Sequence, residues 1–204
     1  MTTKKNEKYQ LILQGALNVF AEHGYHRSQV SKIAKAAGVA DGTIYLYFKR
    51  KEDILIRLFQ EKLGELVEKF HQSVEGITDP AEALRKVCYI HFSELESNPQ
   101  LAYVTQIELR QSDLELRKEI GSALKPYIVL IENILKQGVE EKLFRPNLNI
   151  KLVRNLIFGS MDEAVTSWLI SGRKYPLSEQ VDDTLDFFLH GISSRAQADT
   201  ARTE

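Results

Sequence analysis

The sequence predicts an all-α protein, and three observations predict it. Apolar residues recur at steps of three and four along nearly the whole 204-residue chain; no run alternates apolar and polar residues between turn signals, as a half-buried strand would; and Gly, Pro and Asn/Asp/Ser positions cut the pattern into pieces of helical length. With 43% hydrophobic and 27% charged residues, the composition is that of an ordinary globular protein, long enough for a sizeable core.

The first helix is expected from Tyr9 to Gly24, with Tyr9, Ile12, Leu13, Ala16, Leu17, Phe20 and Ala21 on its buried stripe and Gly24 as a left-handed stop. Ser28 is expected to cap a second short helix burying Val30, Ile33, Ala34 and Ala37, which Gly38 ends. A third short piece spans about Thr43 to Phe48. From Lys51 a long helix buries Leu55, Leu58, Phe59, Leu63, Leu66 and Phe70. Asp79-Pro80 opens a helix with Leu84, Val87, Cys88, His91 and Leu95 on one face, and Asn98-Pro99 starts a piece ending near Arg110. Ser112-Asp113-Leu114-Glu115 has capping-box spacing and begins a helix to about Lys142, which Pro126 should interrupt because proline lacks an N–H. Helices from about Ile150 to Ser171 and from about Leu177 to Ser193 complete the set.

Net charge is −1, but residues 1–62 carry 11 Lys+Arg against 6 Asp+Glu, a net of +5, and the remainder 16 against 22, a net of −6. The basic end is therefore the candidate for a polyanion, and the acidic remainder is not. No apolar run reaches the length of a membrane span, and the polar start MTTKKNEKYQ does not resemble a signal peptide, so a cytoplasmic protein without membrane association is expected. The lone Cys88 agrees with a reducing compartment and is expected to be a small buried apolar residue. No Gly-rich phosphate loop, HExxH, GxSxG or CxxC occurs, and the five histidines lack metal spacing; neither an enzyme nor a metal site nor a cofactor is expected. His91, on an apolar face, reads as a hydrogen-bonded core histidine.

A helix, a glycine turn and a second short helix make a helix-turn-helix, whose second helix enters the DNA major groove. Inward positions Val30, Ile33, Ala34, Val39, Ile44 and Phe48 leave Asp41, Thr43, Leu46 and Tyr47 outward. Gly42 gives close approach to the sugar-phosphate wall, Thr43 and Tyr45 offer hydroxyls to phosphate, and Lys49, Arg50 and Lys51 supply counter-charge. Base reading falls to Asp41, Leu46 and Tyr47, assisted by Gln29 and Ser31. The same spacing also fits a plain three-helix packing module with a solvated cationic face; the concentration of positive charge on this segment favours DNA.

The stretch GYHRSQVSKIAKAAGVADGTIYLYFKRKEDIL resembles the DNA-binding domain of the TetR family of bacterial transcriptional regulators, with a Gly-Val turn, a Gly-Thr-Ile-Tyr helix, Phe-Lys and Lys-Glu. It departs at Ala40, where the family often has a capping serine, so Asp41 or no side chain caps that helix. The resemblance implies a DNA-binding domain over 1–50 and an effector-binding and dimerisation domain over 51–204, acting as a homodimeric repressor on a palindromic double-stranded operator. The last two helices would then form a four-helix bundle with their partners, with Gly159, Ser160 and Ala164 beside Met161 and Trp168 at the contact. A monomer burying that stripe internally is the alternative.

Within the family, QLAYVTQIELRQSDLELRK and IFGSMDEAVTSW resemble the FadR subgroup of fatty-acid-metabolism repressors of Gram-positive bacteria. That resemblance implies long-chain acyl-CoA as the effector. Such a ligand needs an apolar tunnel, for which Leu66, Phe70, Val87, Phe92, Leu101, Val104, Tyr127, Ile131 and Phe158 are candidates, and cations for its phosphates, for which Arg110, Arg117 and Lys118 are candidates. These arginines can equally pair with Glu108, Glu115 or Glu119, and the apolar stripe can be plain core. A TetR-type sensor of another hydrophobic metabolite or drug, or a helical lipid-carrying protein with a basic end, are the alternative functions.

Overall fold

The structure, a computed structural model, describes residues 3–108 and 113–193. Among them are nine α-helices and no strand; the β-type pairing seen there is an isolated bridge between Phe144 and Ser193. The helices are α1 (Thr3–His23), α2 (Val30–Ala36), α3 (Asp41–Ile44), α4 (Lys51–Val74), α5 (Pro80–Ser97), α6 (Pro99–Glu108), α7 (Leu114–Glu140), α8 (Ile150–Ile170) and α9 (Val181–Ile192), the last preceded by a 3₁₀ turn at Leu177–Gln180.

Contacts divide the chain into two units, one of residues 1–65 and 98–124, the other of residues 66–97 and 125–204. In the first, α1 packs on α2 and α6, burying Ile12, Leu13, Ala16, Leu17 and Phe20 with Tyr25, Ile33, Ala34, Ile44 and Phe48. In the second, α5 packs on α8 and α9, burying Val87, Cys88, Phe92 and Leu95 with Ile157, Met161, Val165, Leu185 and Phe188. Glu96 caps the 3₁₀ turn through the N–H groups of Leu177 at 3.0 Å and Ser178 at 3.1 Å. Arg85 of α5 bridges to Asp182 of α9.

Several sequence expectations change. Helix α1 begins at Thr3 rather than Tyr9, and α3 begins at Asp41 rather than Thr43. Ser28 does not cap α2: its hydroxyl donates to the carbonyls of Gly24 at 2.7 Å and Val19 at 3.2 Å, and Gln29 takes the cap position without a side-chain bond. Asp113 caps α7 just before its first residue, its carboxylate accepting from the Leu116 N–H at 2.9 Å; Ser112 lies outside the described residues. Pro126 sits inside an unbroken α7. It is exposed, and so is Ser122, whose carbonyl loses the helical bond and is left open to water. No described helix is long and apolar enough to cross a membrane.

Candidate functional site

Two glycines set the geometry of the first unit. Gly38 has φ +67°, and around it the Val39 N–H reaches the Ala34 carbonyl at 3.0 Å while the Gly38 N–H reaches that of Lys35 at 3.2 Å. That pair of bonds is a Schellman motif, which ends α2 and reverses the chain into α3. Gly15 acts by size: a Cβ there would lie 2.9 Å from the Ala37 amide nitrogen and 3.0 Å from the Ile33 carbonyl, so α1 and α2 approach closely only because it is glycine. The periodicity gave no sign of this, since Gly15 interrupts no pattern.

The loop between α1 and α2 is held from three sides. Glu108, buried at the end of α6, accepts the Tyr25 N–H at 2.8 Å. Ser28 ties the loop back to α1. Lys51, the first residue of α4, donates its ammonium to the carbonyls of Tyr25, His26 and Ser28 at 2.8, 3.3 and 3.1 Å and lies 4.3 Å from the Tyr25 ring centroid. Lys51, expected at phosphate, is engaged here by three backbone carbonyls and a ring face, through which it holds the loop.

The remaining sequence-predicted DNA contacts are brought onto one unit. Gln29, Ser31, Asp41, Gly42, Tyr45, Leu46 and Lys49 are exposed, Leu46 at 76% and Tyr45 at 58%. Thr43 is half-buried. No side chain caps α3, consistent with Ala40 at the cap position. Arg50 pairs with Asp53 at 3.2 Å, and Asp53 also accepts the backbone N–H groups of Lys49 and Arg50 at 3.1 and 3.0 Å, so α4 opens with half of a capping box. Lys49 makes no ion pair among the described residues and stands as the available cation of that run. Tyr47 is half-buried, its ring 6.2 Å from that of Tyr9, which in turn stacks on Phe48 at 5.5 Å. It is thus less open than Leu46. Exposed Lys32 and Lys35 on α2 add cations that the motif did not single out, although the +5 charge of this end counts them.

The second unit holds an aromatic cluster, buried except for half-buried Phe158. Phe70 stacks on Tyr127 at 4.3 Å between centroids, and Phe158 meets the Tyr127 and His91 rings edge-on at 5.7 and 6.5 Å. Phe92 lies edge-on to His91 at 5.8 Å. The Tyr127 hydroxyl and His91 Nδ1 are 3.1 Å apart, and this is the hydroxyl's hydrogen bond among the described residues. Burial raises the Tyr127 phenol well above its usual value and lowers the His91 imidazolium to about 4, so the pair is neutral. The core-histidine expectation holds, since His91 is buried and hydrogen-bonded through Nδ1, while its Nε2 has no hydrogen-bond partner among the described residues. If the hydroxyl donates to Nδ1, one polar group is orphaned; if Nδ1 donates instead, both the O–H and the Nε2 lone pair are. The first arrangement wins, placing the proton on Nε2 and leaving a buried N–H unpaired, at a cost of about 1–3 kcal/mol.

Of the predicted effector residues, Phe70, Tyr127 and Phe158 thus meet, with Phe92 reaching them through His91. Leu66, Val87 and Ile131 are buried in the same unit. Leu101 and Val104, half-buried and buried, belong to the first unit, as do exposed Arg117 and Lys118. Arg110 lies outside the described residues. Cys88 is buried, its thiol pushed up to about 12 by desolvation, as a small core residue should be.

The expected dimer contacts are partly corrected. Met161 and Trp168 face inward, the Trp168 indole donating to the Tyr175 carbonyl at 2.9 Å. The apolar residues exposed on these helices are Leu152, Leu156, Ile170 at 81% and Phe187 at 71%, with exposed Gly159 and Ser160 on α8.

Comparison with known proteins divides the chain in a related way. Residues 12–58 match the family described as bacterial regulatory proteins, tetR family, and residues 59–191 match the C-terminal region of YsiA-like proteins. The fatty acid metabolism regulator protein of Bacillus subtilis is 46% identical over 94% of this chain and 99% of its own. The fatty acid degradation regulator FadR of Bacillus halodurans superposes with a TM-score of 0.86 at 48% identity, covering 90% of this chain and 98% of the other. Bacillus subtilis FadR, solved with stearoyl-CoA, superposes at 0.87 with 47% identity over 90% and 99%.

Proposed function

Because the chain belongs to the TetR family of bacterial regulators, we propose that it is a DNA-binding repressor of fatty-acid degradation genes, released from its operator by long-chain acyl-CoA. The observation that carries the reading is the near full-length similarity, at 47% identity, to a regulator solved with stearoyl-CoA. The buried aromatic and aliphatic residues of the second unit supply the apolar wall an acyl chain requires. The protein acts in the cytoplasm, with no enzymatic activity.

The regulator functions as a homodimer on a palindromic duplex, with its two α3 segments about 34 Å apart or one further turn away. The functional division is kept at 1–50 for DNA and 51–204 for effector and dimerisation. Exposed Leu152, Leu156 and Ile170 on α8 and Phe187 on α9 supply the dimer's apolar contact, and Gly159 and Ser160 allow close helix approach there. Leu46 and Asp41 read bases with help from Tyr47, Gln29 and Ser31; Lys49, Thr43 and Tyr45 contact phosphates. Helix α4 carries Lys51, which holds the loop, and Phe70, stacked on Tyr127, so ligand entry beside Phe70 acts on the DNA-binding unit through this helix. A ligand achieves release only by favouring the non-binding state.

Native mass spectrometry of the purified protein tests the effector. A dimer carrying masses of long-chain acyl-CoA, removed by mild extraction with a gain in operator binding, is expected. A different bound metabolite would replace the acyl-CoA assignment and leave the repressor reading in place.

A further inference from the structure

The aromatic cluster contains a polar group that an apolar tunnel wall does not need. His91 Nε2 is fully buried with no hydrogen-bond partner among the described residues, on a ring whose neighbours are Phe92, Tyr127 and Phe158. Tyr127 occupies Nδ1; with its hydroxyl donating there, the proton stands on Nε2 of a ring bordered by aromatic neighbours. Buried donors are almost always satisfied, so an unsatisfied one beside a candidate binding site calls for an acceptor that arrives with the ligand. A saturated acyl chain has none. The first acceptor along an acyl-CoA is the thioester carbonyl.

Resting on the acyl-CoA reading above, we propose that the His91 Nε2–H donates a hydrogen bond to the thioester carbonyl oxygen of the bound acyl-CoA, with Tyr127 acting as the positioning residue that holds the donor tautomer. His91 then reads the chemical class of the effector: an acyl thioester pairs the donor, whereas an alkyl chain of equal length leaves it orphaned. A site built to hydrogen-bond a ligand group discriminates against the analogue lacking it, because the protein's own group stays unpaired.

Palmitoyl-CoA and its thioether analogue S-hexadecyl-CoA differ at this carbonyl and keep the same CoA and a chain of equal length. The native protein is expected to bind the thioester about 10-fold more tightly, and His91→Phe to lose that preference. His91→Gln, whose amide N–H falls near the Nε2 position, should recover part of it. Should His91→Phe fail to fold, carbonyl-labelled palmitoyl-CoA gives the answer on native protein: its ¹³C resonance should move downfield on binding, and the Nε2 nitrogen of ¹⁵N-histidine should shift with the thioester and not with the thioether. Equal binding of both ligands by the native protein, or a thioester preference that survives in His91→Phe, would overturn the proposal while sparing the acyl-CoA reading. Binding of neither ligand would remove both.

Discussion

The two units differ in which buried polar groups they pair. In the first, the loop before α2 is closed off: the Tyr25 N–H meets Glu108, the Ser28 hydroxyl meets Gly24 and Val19, and three loop carbonyls meet Lys51. In the second, the aromatic cluster keeps His91 Nε2 without a hydrogen-bond partner among the described residues. Pairing the backbone of the loop limits the arrangements open to the chain that leads into α3, although the Tyr25 hydroxyl beside it is buried with no hydrogen-bond partner among the described residues. If acyl-CoA enters the second unit as proposed, its thioester carbonyl is the acceptor that pairs His91 there.

The largest expected effect would break the first half of that contrast. Gly15→Val places methyl groups against the Ala37 and Ile33 backbone, which cannot yield as a side-chain end can. A loss of about 3 kcal/mol and of operator binding is expected, read by thermal unfolding and by gel shift. Retained binding at native affinity would mean that α1 and α2 can separate without harm.

The second unit has a pH signature. His91 is lowered from 6.5 to about 4 by burial, so between those values the unfolded chain takes up a proton that the folded one refuses. Stability is therefore full above about pH 6.5 and falls as pH drops towards 4, by roughly 3 kcal/mol at most. Tyr127 and Cys88 titrate far above this window. Denaturant midpoints across it should fall less steeply in His91→Phe than in the native protein.

Lys51 and Lys49 sharpen the first half at smaller cost. Lys51→Met removes a cation held by three carbonyls and should lower stability by about 1–2 kcal/mol without altering the slope of log K against log salt. Lys49→Met should leave stability unchanged and make that slope shallower by about 1. The reverse pattern would return Lys51 to the phosphate contacts. Smallest of all, Cys88 should resist a thiol reagent at pH 8 in the folded protein and react on unfolding, because burial keeps it a thiol.

Much of this was legible in the sequence, for reasons that also mark the limit. The stripes Leu84, Val87, Cys88, His91, Leu95 and Leu55, Leu58, Phe59, Leu63 are buried as their spacing predicts, and Gly24 and Gly38 take the left-handed conformations expected of helix stops. Periodicity reports the face of a helix, which is a local property. It could not report that Ser28 bonds backwards to α1, that Lys51 returns to a loop more than twenty residues earlier, or that Met161 and Trp168 are used up inside their own chain. Those depend on which elements meet. The aromatic residues of the effector region were recognisable one by one, but the orphaned nitrogen of His91 follows from the position of Tyr127, thirty-six residues away.

Release of DNA by the effector is decided by one titration. A fluorescent palindromic operator is bound to the native dimer, and oleoyl-CoA is added at concentrations below those at which it forms micelles while anisotropy is followed. Release of the duplex at micromolar ligand or less is expected, with no release by free CoA and little by an acyl-CoA of four carbons, since both leave the apolar cluster unfilled. Anisotropy unchanged by oleoyl-CoA, on an operator the protein demonstrably holds, would contradict it.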